Sequence, residues 1–111
     1  MPEYSFLVFS NPAEGREEEY NRWYDDVHLG EVVQVPGFVA ARRFRVMPPA
    51  GGGEAPKHRY LAIYEIESED VAATMGELTT RAGDGRLRMS DALGDVATGL
   101  YEPITDRRTT R

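Results

Sequence analysis

The sequence predicts an α+β domain of order β-α-β-β-α-β, in which a four-stranded antiparallel sheet carries both helices on one face. Three observations predict it. Four runs rich in aromatic and branched residues alternate with two segments of helical apolar spacing. Pro-Gly and Gly-rich stretches punctuate the runs at the boundaries this order requires. The chain has 111 residues, enough for one domain and one core. We read 1–106 as that single domain and 107–111 as a polar tail.

The first strand is read over Glu3–Phe9, ended by the turn signal Ser10-Asn11-Pro12. Tyr4, Phe6 and Val8 alternate with Leu7 and Phe9, so both of its faces are apolar. A strand apolar on both sides is covered on both sides.

A helix is read from about Ala13 to Val27. Glu14, Glu17, Glu18 and Glu19 load its first turns with the charge the helix dipole favours there. Tyr20, Trp23, Tyr24, Val27 and His28 recur at i, i+3, i+4, i+7 and i+8, one helical face. Gly30 interrupts the pattern, Glu31–Val35 makes a short further turn, and Pro36-Gly37 stops it.

The second strand is read over Phe38–Met47. Phe38, Ala40, Arg42, Phe44 and Val46 share one face, and Val39, Ala41, Arg43, Arg45 and Met47 the other. Pro48 to Gly53 is a flexible loop, continuing to about Lys57. No Gly-Lys-Ser/Thr follows its glycines, so it is not a phosphate loop. His58–Glu67 is the third strand, with Tyr60, Ala62, Tyr64 and Ile66 opposite Leu61 and Ile63. Ser68 caps a helix over Glu69–Arg81 that carries Val71, Met75, Leu78 and Ala82 at helical spacing. Gly83-Asp84-Gly85 ends it. Arg86–Asp95 reads as loop with one helical turn near Ser90–Leu93, and Val96–Thr105 as the fourth strand.

The two helices cover one sheet face, and the opposite face still carries large apolar side chains. A second copy of the same sheet is the simplest cover, so a homodimer is expected.

Composition excludes several functions. The net charge is -6, and the only basic cluster is Arg107, Arg108 and Arg111 in the tail, so no nucleic-acid partner is expected. The absence of cysteine rules out disulfides, thiolate zinc sites, iron–sulfur ligation and a cysteine nucleophile. No metal site is expected. There is no signal-peptide pattern and no apolar run near ~20 residues, so the expected setting is the cytoplasm, with no membrane partner.

His28 is the candidate catalytic residue. It ends the aromatic stripe, and an imidazole at the mouth of an apolar pocket can act as general acid or base. Asp25, one turn earlier, could bond an imidazole nitrogen and fix its tautomer. The competing reading is a helix C-cap or a histidine bonded to a core carbonyl. Tyr20, Trp23 and Tyr24 are either core or the wall of a pocket for a planar or greasy ligand, since each polar tip needs a partner when buried. Arg42, Arg43 and Arg45 either recognise a carboxylate or pair with the abundant acids. His58 reads as a surface residue.

The segment Tyr20-Asn21-Arg22-Trp23-Tyr24-Asp25-Asp26-Val27-His28, then Val35-Pro36-Gly37-Phe38 and Ala41-Arg42-Arg43-Phe44, resembles the EthD-like branch of the dimeric α+β barrel superfamily. The closing Leu100-Tyr101-Glu102-Pro103 is similar too, and the likeness spans residues 3 to 105. It implies a ferredoxin-like fold that pairs as a dimeric barrel. It also implies a pocket between helices and sheet for a small aromatic, polyketide-like or otherwise hydrophobic molecule. Trp23, Tyr24 and His28 would face that pocket, with Tyr20, Phe6, Phe44 and Tyr64 as walls. The activity implied is that of a cofactor-independent enzyme: a monooxygenase, cyclase, isomerase or lyase. The alternative is a non-catalytic binding or accessory protein of a catabolic or biosynthetic pathway. No cofactor is expected; a haem would require His28 as its axial ligand.

Overall fold

Strand β1 (Glu3–Pro12) lies inside a four-stranded sheet, hydrogen-bonded to a strand on each side. The computed structural model describes residues 1–110. Strands β2 (Phe38–Arg45), β3 (Tyr60–Glu67) and β4 (Leu93–Tyr101) complete the sheet in the order β2-β3-β1-β4, with every pair antiparallel. This is the ferredoxin-like arrangement, with β2 and β4 at the edges. Arg111, part of the basic tail, lies outside the described residues.

Register decides which side chains meet. Phe6 stands opposite Tyr64 and Leu100, and Val8 opposite Ala62 and Thr98. This row faces the helices. Leu7 opposite Ile63 and Phe9 opposite Leu61 face the other way. The Ser10-Asn11-Pro12 turn signal does not end β1: the strand runs on through a bulge, and Pro12 pairs with Leu93 at its end, where a missing N–H is tolerated.

The first helical region differs from expectation in an informative way. Helix α1 (Glu17–Trp23) passes without a break through a π-helical turn (Tyr24–His28) into helix α2 (Leu29–Val32). Gly30 does not interrupt it. The Leu29 N–H donates to the Tyr24 carbonyl, five residues back. Such wide turns occur mostly as single insertions within α-helices, often at functional sites.

Helix α3 (Val71–Asp84) is capped by Asp70 rather than Ser68: the Asp70 carboxylate accepts from the Ala73 N–H at 3.1 Å. The Ser68 Oγ accepts instead from the Asp70 N–H and from the Thr74 hydroxyl. Gly37 sits at φ +101°, and a Cβ there would come 2.7 Å from Thr74 Oγ1. The stop after α2 therefore needs glycine for both conformation and space.

One expected face is reversed. A bulge between Phe38 and Ala40 slips β2 by one residue, and a one-residue slip exchanges the faces of a strand. Phe38 shares the helix side with Ala41 and Arg43, while Phe44 pairs with Leu61 on the open side and is 40% exposed. Phe44 is thus no wall of a pocket beneath the helices. No helix among the described residues is long and apolar enough to cross a membrane.

Candidate active site

The core under α1 is built of rings. Tyr20, Trp23 and Tyr24 are buried, as are Tyr60 and Tyr64 from β3. The Tyr20 hydroxyl bonds Ser10 Oγ at 2.6 Å, and the Tyr60 hydroxyl donates to the Glu17 carboxylate. Tyr20 therefore spends its polar tip inside the core and does not line the cavity described below.

The π turn gathers the remaining rings. In a straight α-helix, residues five apart point about 140° away from each other. Here Trp23 and His28 stack at 4.4 Å between centroids with a 24° tilt. The edge of Tyr24 meets the same imidazole at 5.2 Å and 82°. The Trp23 indole N–H donates to the Arg88 carbonyl at 2.7 Å. Glu31 takes the Arg88 backbone N–H and its guanidinium, each at 2.7 Å. These bonds fix the 86–92 segment over the helical region.

A cavity of about 220 Å³ lies between helices and sheet. Its floor is Phe6, Val8, Tyr64, Val96 and Thr98. Its roof is Val32, Leu78, Ala82, Leu87 and Met89, and Tyr24 and His28 enter at its side. Of the residues expected around a pocket, the structure brings together Phe6, Tyr24, His28 and Tyr64. Trp23 stands behind His28 as its stacking support. The roof was missed because 86–92 has no periodicity to read. Leu78 and Ala82 were recognised only as a helical stripe.

Burial sets the protonation states. The half-buried His28 is pulled down to about 4 by desolvation, with a small upward pull from Glu31, so the imidazole is neutral at pH 7. Its Nδ1 is buried without a hydrogen-bond partner among the described residues. Burial first, and then the Tyr20 phenol, push Tyr24 up to about 12. Burial raises the Tyr64 phenol further.

Asp25 does not orient His28. Its carboxylate accepts from Arg43 Nη1 at 2.7 Å, and the Asn21 side-chain oxygen accepts from Arg43 Nη2 at 2.7 Å. The guanidinium lies 4.4 Å from the Tyr24 ring centroid, close enough for cation–π attraction. Arg43 therefore clamps α1 to β2 from outside the cavity. The imidazole is held by stacking instead of by a carboxylate.

No family model and no curated protein sequence matches the chain. Solved structures do. An ethyl tert-butyl ether d (EthD) family protein from Bacillus halodurans C-125 is 16% identical, with a TM-score of 0.56, over 89% of this chain and 97% of that one. SnoaB from Streptomyces nogalater, a cofactor-independent oxygenase, is 19% identical with a TM-score of 0.58, over 98% and 97%. A mutant of MhuD with two manganese protoporphyrin IX molecules bound per active site is 18% identical with a TM-score of 0.59, over 97% and 100%. These likenesses show the ferredoxin-like fold, which the chain shares with a dabb family protein and an EthD family protein among others. They also correct the expectation about cofactors. The same fold holds porphyrins in the active site of MhuD, so the fold does not carry cofactor independence with it.

Proposed function

We propose that the chain is an enzyme acting on a small aromatic or polyketide-like molecule held in the cavity beside His28, with the imidazole as general acid or base. One observation carries this reading: a neutral histidine stacked on Trp23 enters the side of an apolar cavity otherwise lined by Phe6, Val8, Leu78 and Leu87. A base must be unprotonated at working pH and within reach of its substrate. A low imidazole pKa meets the first condition, and the cavity supplies the second. SnoaB, an oxygenase on this fold, supports the class of chemistry.

The test is turnover of a panel of phenols, anthrones and small lactones, followed by mass spectrometry. Substitution His28→Gln is expected to remove turnover by 10²-fold or more while the far-UV spectrum is unchanged. Turnover undiminished in the variant sinks the proton-transfer role. A ligand that binds and is always recovered intact would make this a binding protein.

The working form in this reading is a homodimer. The molecule measures 45 × 40 × 20 Å, and its radius of gyration of 15.3 Å exceeds the ~13 Å of a rounded domain of this length. The thin dimension leaves Leu7, Phe9, Leu61 and Ile63 behind only partial cover, with Phe44 and Tyr101 exposed. Glu3, Glu65 and Glu67 sit together at one end of that face. A two-fold axis running across the strands keeps the two acidic ends apart, whereas one along the strands stacks them. Sedimentation at micromolar concentration is expected to give a dimer, and a folded monomer there removes this part of the proposal.

A further inference from the structure

The two ring nitrogens of His28 have unlike surroundings. Nδ1 is buried, with no hydrogen-bond partner among the described residues, whereas Nε2 keeps accessible surface. The nearby carboxylates are committed elsewhere. Asp25 accepts from Arg43, and the two oxygens of Glu31 accept from the Arg88 backbone N–H and guanidinium. Trp23 covers one face of the imidazole at 4.4 Å, and Tyr24 crosses it at 82°. The edge left open carries Nε2, and His28 stands at the side of the cavity. The hydroxyls of Tyr24 and Tyr64 meet each other in the core. No other side chain of the lining holds a nitrogen, and none is charged.

We infer that His28 carries its proton on Nε2 and offers it to the cavity, so that the ligand is an uncharged ring compound whose carbonyl oxygen accepts it. This rests on reading the cavity as the substrate site, and it assigns the end of the imidazole that meets the substrate. A neutral imidazole has one N–H. Placed on Nδ1, that N–H would be buried with nothing to accept it, at a cost of ~1–3 kcal/mol. Placed on Nε2, it reaches water or a ligand. Nδ1 then stays bare, and in proteins acceptors short of a donor are commoner than orphaned N–H groups. A neutral imidazole N–H can polarise a carbonyl oxygen. The same nitrogen can serve as a base only after its proton has moved to Nδ1, so the resting form is the donor. An ionised ligand would lose its water here and gain no counter-charge. A volume of about 220 Å³ lies below the ~300 Å³ at which drug-sized pockets begin, which limits the ligand to one or two rings.

The experiment first reads the imidazole nitrogens of isotope-labelled wild type by long-range proton–nitrogen NMR at pH 7. The chain has two histidines, and the signals missing from His28→Gln are those of His28. A protonated, pyrrole-type Nε2 and a bare, pyridine-type Nδ1 are expected. A protonated Nδ1, as an N–H aimed at the face of Tyr24 would give, overturns the inference. Two nitrogens of averaged type also overturn it, since they mark a solvated imidazole exchanging between tautomers. The second arm titrates wild type and His28→Phe with 1-tetralone and tetralin by calorimetry. Tetralin keeps the carbon skeleton of the ketone without its oxygen. Wild type is expected to bind 1-tetralone roughly three- to tenfold more tightly than tetralin, with the Nε2 signal shifting and Nδ1 unmoved. In His28→Phe, which keeps a ring against Trp23, that preference disappears. A ketone preference that survives in His28→Phe overturns the inference, as does equal binding of the two compounds by wild type. A proton found on Nδ1 leaves the cavity reading standing. Absence of any binding, with the His28 signals unmoved, removes the cavity reading itself and the inference with it.

Discussion

Replacing Trp23 with alanine is expected to cost 3–5 kcal/mol of folding stability, read as a fall in the urea midpoint at pH 7. Three losses add up. The buried indole contributes its apolar area and leaves a void that the rings of Tyr24 and His28 cannot both fill. The Arg88 carbonyl loses the 2.7 Å indole N–H bond. Between the 86–92 segment and the first helical region that leaves the hydrogen bonds of Glu31 to Arg88 and the exposed Arg16–Asp91 pair, and exposed ion pairs are worth little. Small domains hold about 5–15 kcal/mol in total, so the variant should be marginal near room temperature. Trp23→Phe separates the contributions: it keeps most of the packing, loses the N–H, and is expected to cost roughly 1–3 kcal/mol. A loss below about 1 kcal/mol in the alanine variant would show that the stack is not part of the folded core.

The sequence displayed this stack only partly. Tyr20, Trp23, Tyr24 and His28 fell on one face by α-helical spacing, and that much needed only the 3.6-residue period. Within that stripe the same period puts Trp23 and His28 at its two outer edges, about 140° apart, so their stacking depends on the π turn at Tyr24–His28. No residue type announces such a turn. The bulge at Phe38/Ala40 is another case. Alternation along β2 was legible, but one extra residue reversed its phase and carried Phe44 to the open face. The Asp25 assignment failed for a different reason. Spacing on a helix shows which side chains are near one another, and it is blind to Arg43 arriving from another strand with a better hydrogen-bond geometry. By contrast, the order of strands and helices along the chain and the stop at Pro36-Gly37 followed from short-range chemistry and were readable.

Acidifying the protein from pH 7 to 4 is expected to destabilise wild type more than His28→Gln. The imidazole sits near 4 in the folded protein and near its ordinary 6.5 once unfolded. Between those values the unfolded chain binds the proton and the folded chain does not. Stability therefore rises with pH across this window, is complete above 6.5, and is lost as pH falls toward 4. A gap of this size corresponds to roughly 3 kcal/mol at most. Glu17, Glu31, Asp84, Asp91 and Asp95 are all lowered by their partners and also lose stability in acid. They do so in both proteins, so the difference between the two urea curves isolates His28; only Glu31, which the imidazole itself touches electrostatically, shifts slightly between them. The same protonation should set the acid limb of kcat/KM close to 4, far below the ordinary histidine value. Parallel stability curves, or an acid limb near 6.5, would mean that the imidazole is solvated and free of the Trp23 stack. Low-pH activity and low-pH stability are thus two readings of one fact, the exclusion of water from the face of His28 that rests on Trp23.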